Sequence, residues 1–426
     1  MSARDTIFAL SSGSPPAAVA IVRISGPEAD AALQQMAGRL PEPRRATLAP
    51  LRCGAETLDN ALILRFPGPA SATGEDVAEL HLHGGRAVVA SVLDALGRMD
   101  GLRQAEAGEF TRRAFENGRI DLAEAEGLAD LLTAETQSQR RAALAMAGGA
   151  VGRLAGAWRE RLLGLAAQVE AALDFSDEGE VGESLPPGWR DQAEALAAEI
   201  EAALARPSAE RLKEGVRTVI AGPPNTGKSS LLNALAGREA AITSAIEGTT
   251  RDVVEAPTAI AGTPFLLIDT AGLRESADEI ERMGVGRARD SLDRADIILW
   301  LGAQSDCPDP DRSILVSARA DIAPIDPLAD VAVSAVTGDG IDRLVAMLGQ
   351  RARGLLPAEG EVALNARHRQ AAASILEDLR RAVRSADFLA IAESLRHARL
   401  ETDRITGRAG VEDMLDSLFD RLCIGK

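Results

Sequence analysis

The sequence predicts a multidomain protein of α+β and α/β class: an N-terminal α+β domain, a helical bundle domain, and a doubly wound α/β domain inserted into that bundle. Short β-like runs alternate with turns over the first 118 residues, and from Ile120 apolar residues fall three and four apart. From Val216 strands and helices alternate around a glycine-rich loop, and helical spacing returns after Gly354. The boundaries that follow are 1–118 for the N-terminal domain, 119–213 for the first helical part, 214–354 for the α/β domain and 355–426 for the second helical part.

In the N-terminal domain, Val19 to Ile24 runs into Ser25-Gly26-Pro27, Ala61 to Phe66 into Pro67-Gly68-Pro69, and Val77 to His83 into Gly84-Gly85. Each is an apolar-rich run stopped by residues that favour turns. No proline occurs between Pro69 and Pro186, and Leu154, Trp158, Leu162, Leu165, Val169 and Leu173 mark one helix face. The acidic stretch Ser176 to Ser184 and Pro186-Pro187 interrupt it; Trp189, Ala193, Leu196, Ile200 and Leu204 then stripe a second helix that ends by Pro207. Two long helices returning on each other is the simplest arrangement. The α/β domain is expected to have strands at Val216 to Ala221, Phe265 to Ile268, Ile297 to Leu301, Ile314 to Val316 and Val331 to Ser334, with a helix from Ser229. Ile375, Leu379 and Val383 then resume helical spacing.

The 426 residues suffice for two to four domains of roughly 150 residues each. With 47 Lys and Arg against 64 Asp and Glu the net charge is −17, which opposes non-specific binding to nucleic acid. No apolar run approaches the roughly 18 residues of a membrane span, and the first ten residues lack a basic region followed by an apolar leader core. A cytoplasmic protein with no membrane attachment is expected. Cys53, Cys307 and Cys423 are far apart and form no C-x-x-C pair, so they are expected to be reduced and not to bind zinc.

The segment Gly222-Pro223-Pro224-Asn225-Thr226-Gly227-Lys228-Ser229 matches G-x-x-x-x-G-K-[ST] between an apolar strand and a helix. Glycines let backbone N–H groups face phosphates, Lys228 reaches the outer phosphates, and the Ser229 hydroxyl suits Mg²⁺. Asp269-Thr270-Ala271-Gly272 follows the strand Phe265 to Ile268, so its carboxylate emerges beside the first loop as a second metal ligand should. Between them, Gly248-Thr249-Thr250-Arg251-Asp252 reads as a nucleotide switch in which Thr250 closes over Mg²⁺. Where a guanine-specific site has N-K-x-D, this chain has Ala318-Arg319-Ala320-Asp321, leaving Asp321 either to grip the guanine edge or to serve as an ordinary loop carboxylate. Ser334-Ala335 fits the last guanine loop, which favours GTP over ATP. Leu273 stands where many small GTPases have a water-orienting Gln. Glu281 is one candidate for that role among several carboxylates in Asp278-Glu279-Ile280-Glu281.

These residues, with others along the whole chain, resemble the MnmE (TrmE) family of tRNA modification GTPases. Further pieces carrying the resemblance are Asp5-Thr6-Ile7, Val22 to Pro27, Thr73-Gly74-Glu75-Asp76-Val77 with Glu79, His83-Gly84-Gly85, Gly108 to Phe115, and the terminal Cys423-Ile424-Gly425-Lys426. The resemblance implies a folate-binding, dimerising N-terminal domain, a Ras-like P-loop G domain inside the helical domain, and potassium-stimulated GTP hydrolysis. It also implies a homodimer that joins the FAD-dependent partner MnmG, as a heterotetramer or larger, to install an aminomethyl or carboxymethylaminomethyl group on C5 of the wobble uridine of tRNA.

By resemblance, Arg23, Glu79, Arg119 and Lys426 contact 5-formyl- or 5,10-methylene-tetrahydrofolate; Arg119 stands where a Lys is common. Carboxylates pair well with a pterin's amidine-like edge, and Arg and Lys with the carboxylates of a folate tail. Glu79, His81 and His83 alternate on one strand face, which reads as a plain polar face or part of the folate pocket, with a metal site as the other alternative. In the G domain the resemblance assigns Asn225, Ser244, Ile246 and Thr249 to K⁺, Ser229 and Thr250 to Mg²⁺, and Glu281 to orienting the hydrolytic water. Thr226, Gly227, Lys228, Ser230, Ala245, Glu247, Gly248, Asp269, Thr270, Ala271, Gly272, Asp321, Ser334 and Ala335 complete the expected nucleotide and cation shell. Glu247 departs from the small residue usual in the potassium loop. Cys423 is expected to lie near the folate pocket and serve modification, against its plain reading as an incidental thiol.

A regulatory RNA- or ribosome-associated GTPase is the alternative. Such factors carry a basic appendage after the G domain, whereas here that segment is an acidic-to-mixed helix ending in Cys-Ile-Gly-Lys. A dynamin-like membrane GTPase would need a basic amphipathic helix or apolar tip, which the chain lacks.

Overall fold

A computed structural model describes residues 5–174, 185–237, 255–270, 289–358, 360–409, 418–419, 422 and 425. The chain divides into two compact units, residues 1–129 with 406–426, and residues 130–405.

The first unit runs β1 (Thr6–Leu10), β2 (Val19–Ser25), α1 (Ala29–Ala37), β3 (Thr47–Cys53), β4 (Glu56–Phe66), β5 (Val77–His83), α2 (Arg86–Gly97), β6 (Leu102–Gln104) and α3 (Glu109–Glu116), and α4 (Leu122–Thr133) begins in it. Its sheet has the order β3-β4-β5-β2-β1-β6, antiparallel except for the parallel pair β1 and β6. Side chains alternate across a strand, so Ala20, Val22 and Ile24 of β2 and Ala78, Leu80 and Leu82 of β5 share the buried face with Leu33 and Met36 of α1 and Val92 and Leu96 of α2. Ile21, Arg23, Glu79 and His81 fall on the other face and are half-buried. The expected strands at β2, β4 and β5 are present. β1, β3 and β6 were not anticipated; β6 is three residues long and β3 carries Pro50, tolerated because β3 is an edge strand.

Residues from the far end of the chain complete this unit. Phe419 and Leu422 are buried with Leu122 and Ala125. A Cβ on Gly108 would stand 2.4 Å from the Phe419 carbonyl oxygen, and one on Gly425, at φ +98°, would stand 2.1 Å from that of Leu10. Among the described residues, Leu122 and Ala125 thus share one core with Phe419 and Leu422 across nearly three hundred residues of sequence. Periodicity identifies a helix face and does not say which core the face joins.

The second unit contains α5 (Gln137–Ala147), α6 (Ala150–Asp174), α7 (Trp189–Ala205), α8 (Glu210–Glu214), β7 (Val216–Ala221), α9 (Lys228–Ala236), β8 (Glu255–Ile260), β9 (Thr263–Asp269), β10 (Ile297–Trp300), β11 (Ser313–Ala318), β12 (Val331–Val333), α10 (Ile341–Arg353), α11 (Ala366–Arg384) and most of α12 (Phe388–Thr406). A capping box starts α5: Thr136 Oγ1 accepts from the Gln139 N–H at 3.2 Å while Gln139 Oε1 accepts from the Thr136 N–H at 2.9 Å. Trp158, Leu162, Leu165 and Val169 form the buried seam of α6, and the Trp189 indole of α7 donates to the Leu165 carbonyl at 3.1 Å. The helix α7 packs against both α6 and α11.

The second sheet has the order β12-β11-β10-β7-β9-β8 and is parallel apart from β8, an edge strand antiparallel to β9. Its strands carry apolar side chains on both faces, as helix-covered parallel strands must. The alanine- and proline-containing β8 has no apolar alternation strong enough to announce it. In such sheets ligands bind at the carboxyl ends of the strands, where the loops after β7, β11 and β12 lie and where β9 ends in Asp269. Among the described residues no helix is long and apolar enough to cross a membrane.

Candidate functional site

The loop after β7 turns tightly before α9. Gly222 stands so near Leu301 that a Cβ would come within 3.0 Å of its carbonyl carbon, and Asn225 and Gly227 adopt φ of +62° and +94° before α9 begins. Lys228 is only 6 % exposed, and its Nζ donates to the carbonyls of Gly222 at 3.2 Å and Pro223 at 2.7 Å. The Thr226 hydroxyl donates to the Pro223 carbonyl at 2.9 Å. Parallel pairing sets Ile220 of β7 opposite Asp269, the last residue of β9. That register brings Asp269, 2 % exposed, beside the loop, where Ser229 Oγ donates to its Oδ2 at 2.5 Å. Thr270 Oγ1 donates to the Ile220 carbonyl at 3.0 Å and ties the two strands together. A hydroxyl and a buried carboxylate, all oxygen, suit a hard divalent cation such as Mg²⁺.

Beside this loop is a cavity of about 380 Å³ whose lining includes Asn225, Ser230, Ala318, Arg319, Asp321 and Ala335. The Ser334 hydroxyl does not line it. Fully buried, it accepts from the N–H groups of Val336 at 3.3 Å and Thr337 at 3.1 Å and so shapes the loop that presents Ala335. Arg319 Nη1 donates to the Asn225 carbonyl at 3.2 Å and links this cavity to the phosphate loop.

A separate constellation occupies the half-open face of the first unit's sheet. Arg23 and Glu79 are directly opposed across β2 and β5. Arg23 donates through Nε at 3.1 Å and Nη2 at 2.9 Å to Glu79 Oε1, and His81 Nε2 lies 3.2 Å from Glu79 Oε2. The Arg23 guanidinium lies 5.7 Å from the centre of the Phe110 ring. Two residues along β2, Ser25 Oγ lies 2.7 Å from Thr73 Oγ1 and donates to Glu75 Oε2 at 2.8 Å. Arg119 reaches the same segment, where its Nε donates to the Ser71 carbonyl at 3.1 Å. His83 turns away to Asp59, with Nδ1 at 2.7 Å, so Glu79, His81 and His83 do not converge as metal ligands. No group of three or more metal-ligating His, Cys, Asp or Glu side chains occurs among the described residues.

Behind this face lies a charged network. Glu109 Oε1 accepts from Arg103 at 2.6 Å and Arg113 at 3.0 Å, and Oε2 from Arg103 at 2.8 Å and the Glu106 N–H at 2.9 Å. Burial pushes the Glu109 carboxyl up, but these donors outweigh it and hold the group at about 2, against an ordinary 4.5. Arg113 also donates to Glu75 Oε2 at 3.1 Å and to the Asp5 carbonyl at 2.8 Å.

Family models account for nearly the whole chain. That of the GTP-binding protein TrmE N-terminus matches residues 6–119, and that of the MnmE helical domain matches residues 122–423. This chain belongs to the MnmE family. The tRNA modification GTPase MnmE of Erythrobacter litoralis is 56 % identical over 99 % of this chain and 100 % of its own length. That of Rhizorhabdus wittichii is 58 % identical over 100 % of this chain and 97 % of its own, and that of Zymomonas mobilis 51 % identical over 99 % and 100 %.

In this MnmE family member the described site residues thus form two groups. Asn225, Thr226, Gly227, Lys228, Ser229, Ser230, Asp269, Thr270, Asp321 and Ala335 surround the phosphate loop and its neighbouring cavity, with Ser334 behind; Arg23, Glu79 and Arg119 belong to the N-terminal sheet. Ser244, Ala245, Ile246, Glu247, Gly248, Thr249, Thr250, Ala271, Gly272, Glu281, Cys423 and Lys426 lie outside the described residues. Sequence reasoning gave no role to Phe110 or Arg113, although the run Gly108 to Phe115 was singled out. The spacing of Glu109 and Arg113, one helical turn apart on α3, was the available signal.

Proposed function

We propose that this chain is the GTPase subunit of a tRNA wobble-uridine modification complex. With the FAD-dependent partner MnmG it adds an aminomethyl or carboxymethylaminomethyl group to C5 of the wobble uridine, using a one-carbon unit from 5-formyl- or 5,10-methylene-tetrahydrofolate. The observation that carries the reading is the coexistence in one MnmE chain of a Ser229 hydroxyl hydrogen-bonded to Asp269 beside the phosphate-loop motif and a paired Arg23 and Glu79 on a half-open sheet face. Neither alone implies group transfer; together they support a nucleotide-driven switch acting with a charged face suited to folate.

Each residue has a physical task in this reading. Lys228 would pair with the outer phosphates, and Ser229, Asp269 and Thr250 would hold Mg²⁺, which would supply positive charge to the phosphate oxygens. Asn225, Ser244, Ile246 and Thr249 hold K⁺ in place of an arginine finger, while Glu281 orients water. Glu79 takes the pterin edge, and Arg23, Arg119 and Lys426 take the carboxylate tail, with Cys423 nearby. The functional domains are 1–118, 119–213, 214–354 and 355–426, working as a cytoplasmic homodimer. The test is nucleoside mass spectrometry of tRNA from cells lacking the gene, complemented with the wild-type chain or with Asp269→Ala. Modified wobble uridine should return with the first and not the second; unmodified tRNA with both defeats the reading.

A further inference from the structure

The cavity beside the phosphate loop has four polar side chains in its lining, with Asn225 and Ser230 on the phosphate-loop side and Arg319 and Asp321 on the loop after β11. Ile322 and Val336, 68 % and 85 % exposed, also line it, and Ala318 ends β11 with a methyl that neither donates nor accepts a hydrogen bond. Asp321 is exposed, and its carboxylate has no hydrogen-bond or ion-pair partner among the described residues. Arg319 is the other charged side chain of the lining, and it reaches toward the phosphate loop. At φ +60° it holds a conformation unfavourable to a non-glycine residue, its Nη1 donates to the Asn225 carbonyl, and its Cγ lies 3.4 Å from where a Cβ of Gly227 would stand. It is a strut between two loops.

Guanine carries adjacent donors at N1 and the 2-amino group, which one carboxylate accepts as a charge-assisted pair. Adenine presents an acceptor at N1 and would face Asp321 with like polarity. The opposite, N7 side of either purine bears an acceptor and needs a donor from the protein; a carboxamide at position 318 would supply one, and the Ala318 methyl does not. We propose that this chain reads guanine by the N1 and 2-amino edge alone, through Asp321, and is indifferent to N7, with Arg319 as a positioning residue that sets the base loop against the phosphate loop. The inference rests on the nucleotide's base lying in this cavity.

Titration calorimetry of the full chain with GDP, 7-deaza-GDP, IDP and ADP tests it. GDP and 7-deaza-GDP should bind within about twofold of each other, while IDP, lacking the 2-amino group, should bind roughly tenfold or more weakly. Ala318→Asn should tighten GDP and leave 7-deaza-GDP unchanged. Arg319→Ala should weaken GDP, 7-deaza-GDP and IDP by one common factor, and Arg319→Lys, which keeps a donor for the Asn225 carbonyl, should recover most of that loss. A wild-type preference for GDP over 7-deaza-GDP of more than about fivefold, or an Arg319→Ala effect that falls on GDP alone, overturns the inference. Equal binding of ADP and GDP would instead remove guanine from the cavity and defeat the GTP reading beneath it.

Discussion

Glu109→Gln should destabilise the N-terminal unit at neutral pH and lose that effect in acid. The side chain is buried on α3 between Arg103 and Arg113, and its carboxyl is held at about 2 where 4.5 is ordinary. The folded state therefore favours the carboxylate by about 3 kcal/mol. Because the folded value is depressed, this stabilisation is complete above pH 4.5 and disappears as pH falls toward 2. The glutamine keeps the shape and removes the charge, leaving Arg103 with a poorer acceptor and Arg113 with Glu75 and the Asp5 carbonyl. An expected loss of about 2 to 3 kcal/mol corresponds to roughly 1 to 2 M in the urea midpoint. Tryptophan fluorescence is blind to it, because Trp158, Trp189 and Trp300 all lie in residues 130–405. Hydrogen exchange of peptides spanning β1, β6 and α3, followed through a urea series at pH 7 and pH 3, reads the unit directly. The gap between wild type and variant should be wide at pH 7 and narrow at pH 3; equal gaps, or none, would refute the reasoning.

Asp269→Ala should reduce GTP turnover, followed by phosphate release, to background while the far-ultraviolet spectrum is kept; unchanged turnover removes Asp269 from the site. Arg23→Ala and Glu79→Ala should each weaken binding of 5-formyl-tetrahydrofolate without altering GTP turnover, and native affinity in both by calorimetry would sink the folate assignment. Turnover should be much faster in potassium than in sodium at constant ionic strength, with equal rates defeating the cation-assisted mechanism. Gly425→Ala would drive a Cβ into the Leu10 carbonyl, so exchange at β1 should rise; native protection of Thr6–Leu10 would show that this contact is dispensable.

The parts of this molecule legible in its sequence were those with short-range signatures. The phosphate loop was visible because strand, glycines, lysine and helix are contiguous, and α6 and α7 because Trp158 to Val169 and Trp189 to Ile200 repeat with helical period. Long-range pairings were hidden. Nothing local announces that Arg23 faces Glu79 across two strands, that Arg319 turns back to Asn225, or that Ser334 spends its hydroxyl on its own loop. Short or proline-containing edge strands such as β3, β6 and β8 also lacked the alternation that longer strands provide.

The placement of Phe419, Leu422 and Gly425 in the N-terminal unit has a consequence for synthesis on the ribosome. The sheet of β1 to β6 emerges first, yet the partners of Leu122 and of the Leu10 carbonyl are made only after residues 130–405 have been translated. At about 5 to 20 residues per second that interval is roughly fifteen seconds to a minute. Throughout it the nascent N-terminal unit presents an unfinished apolar seam at Leu122 and Ala125, while all six strands of the intervening sheet come from the intervening residues. The unit first to be made is thus the last to be finished, and its seam is closed only once Phe419 and Leu422 have left the exit tunnel.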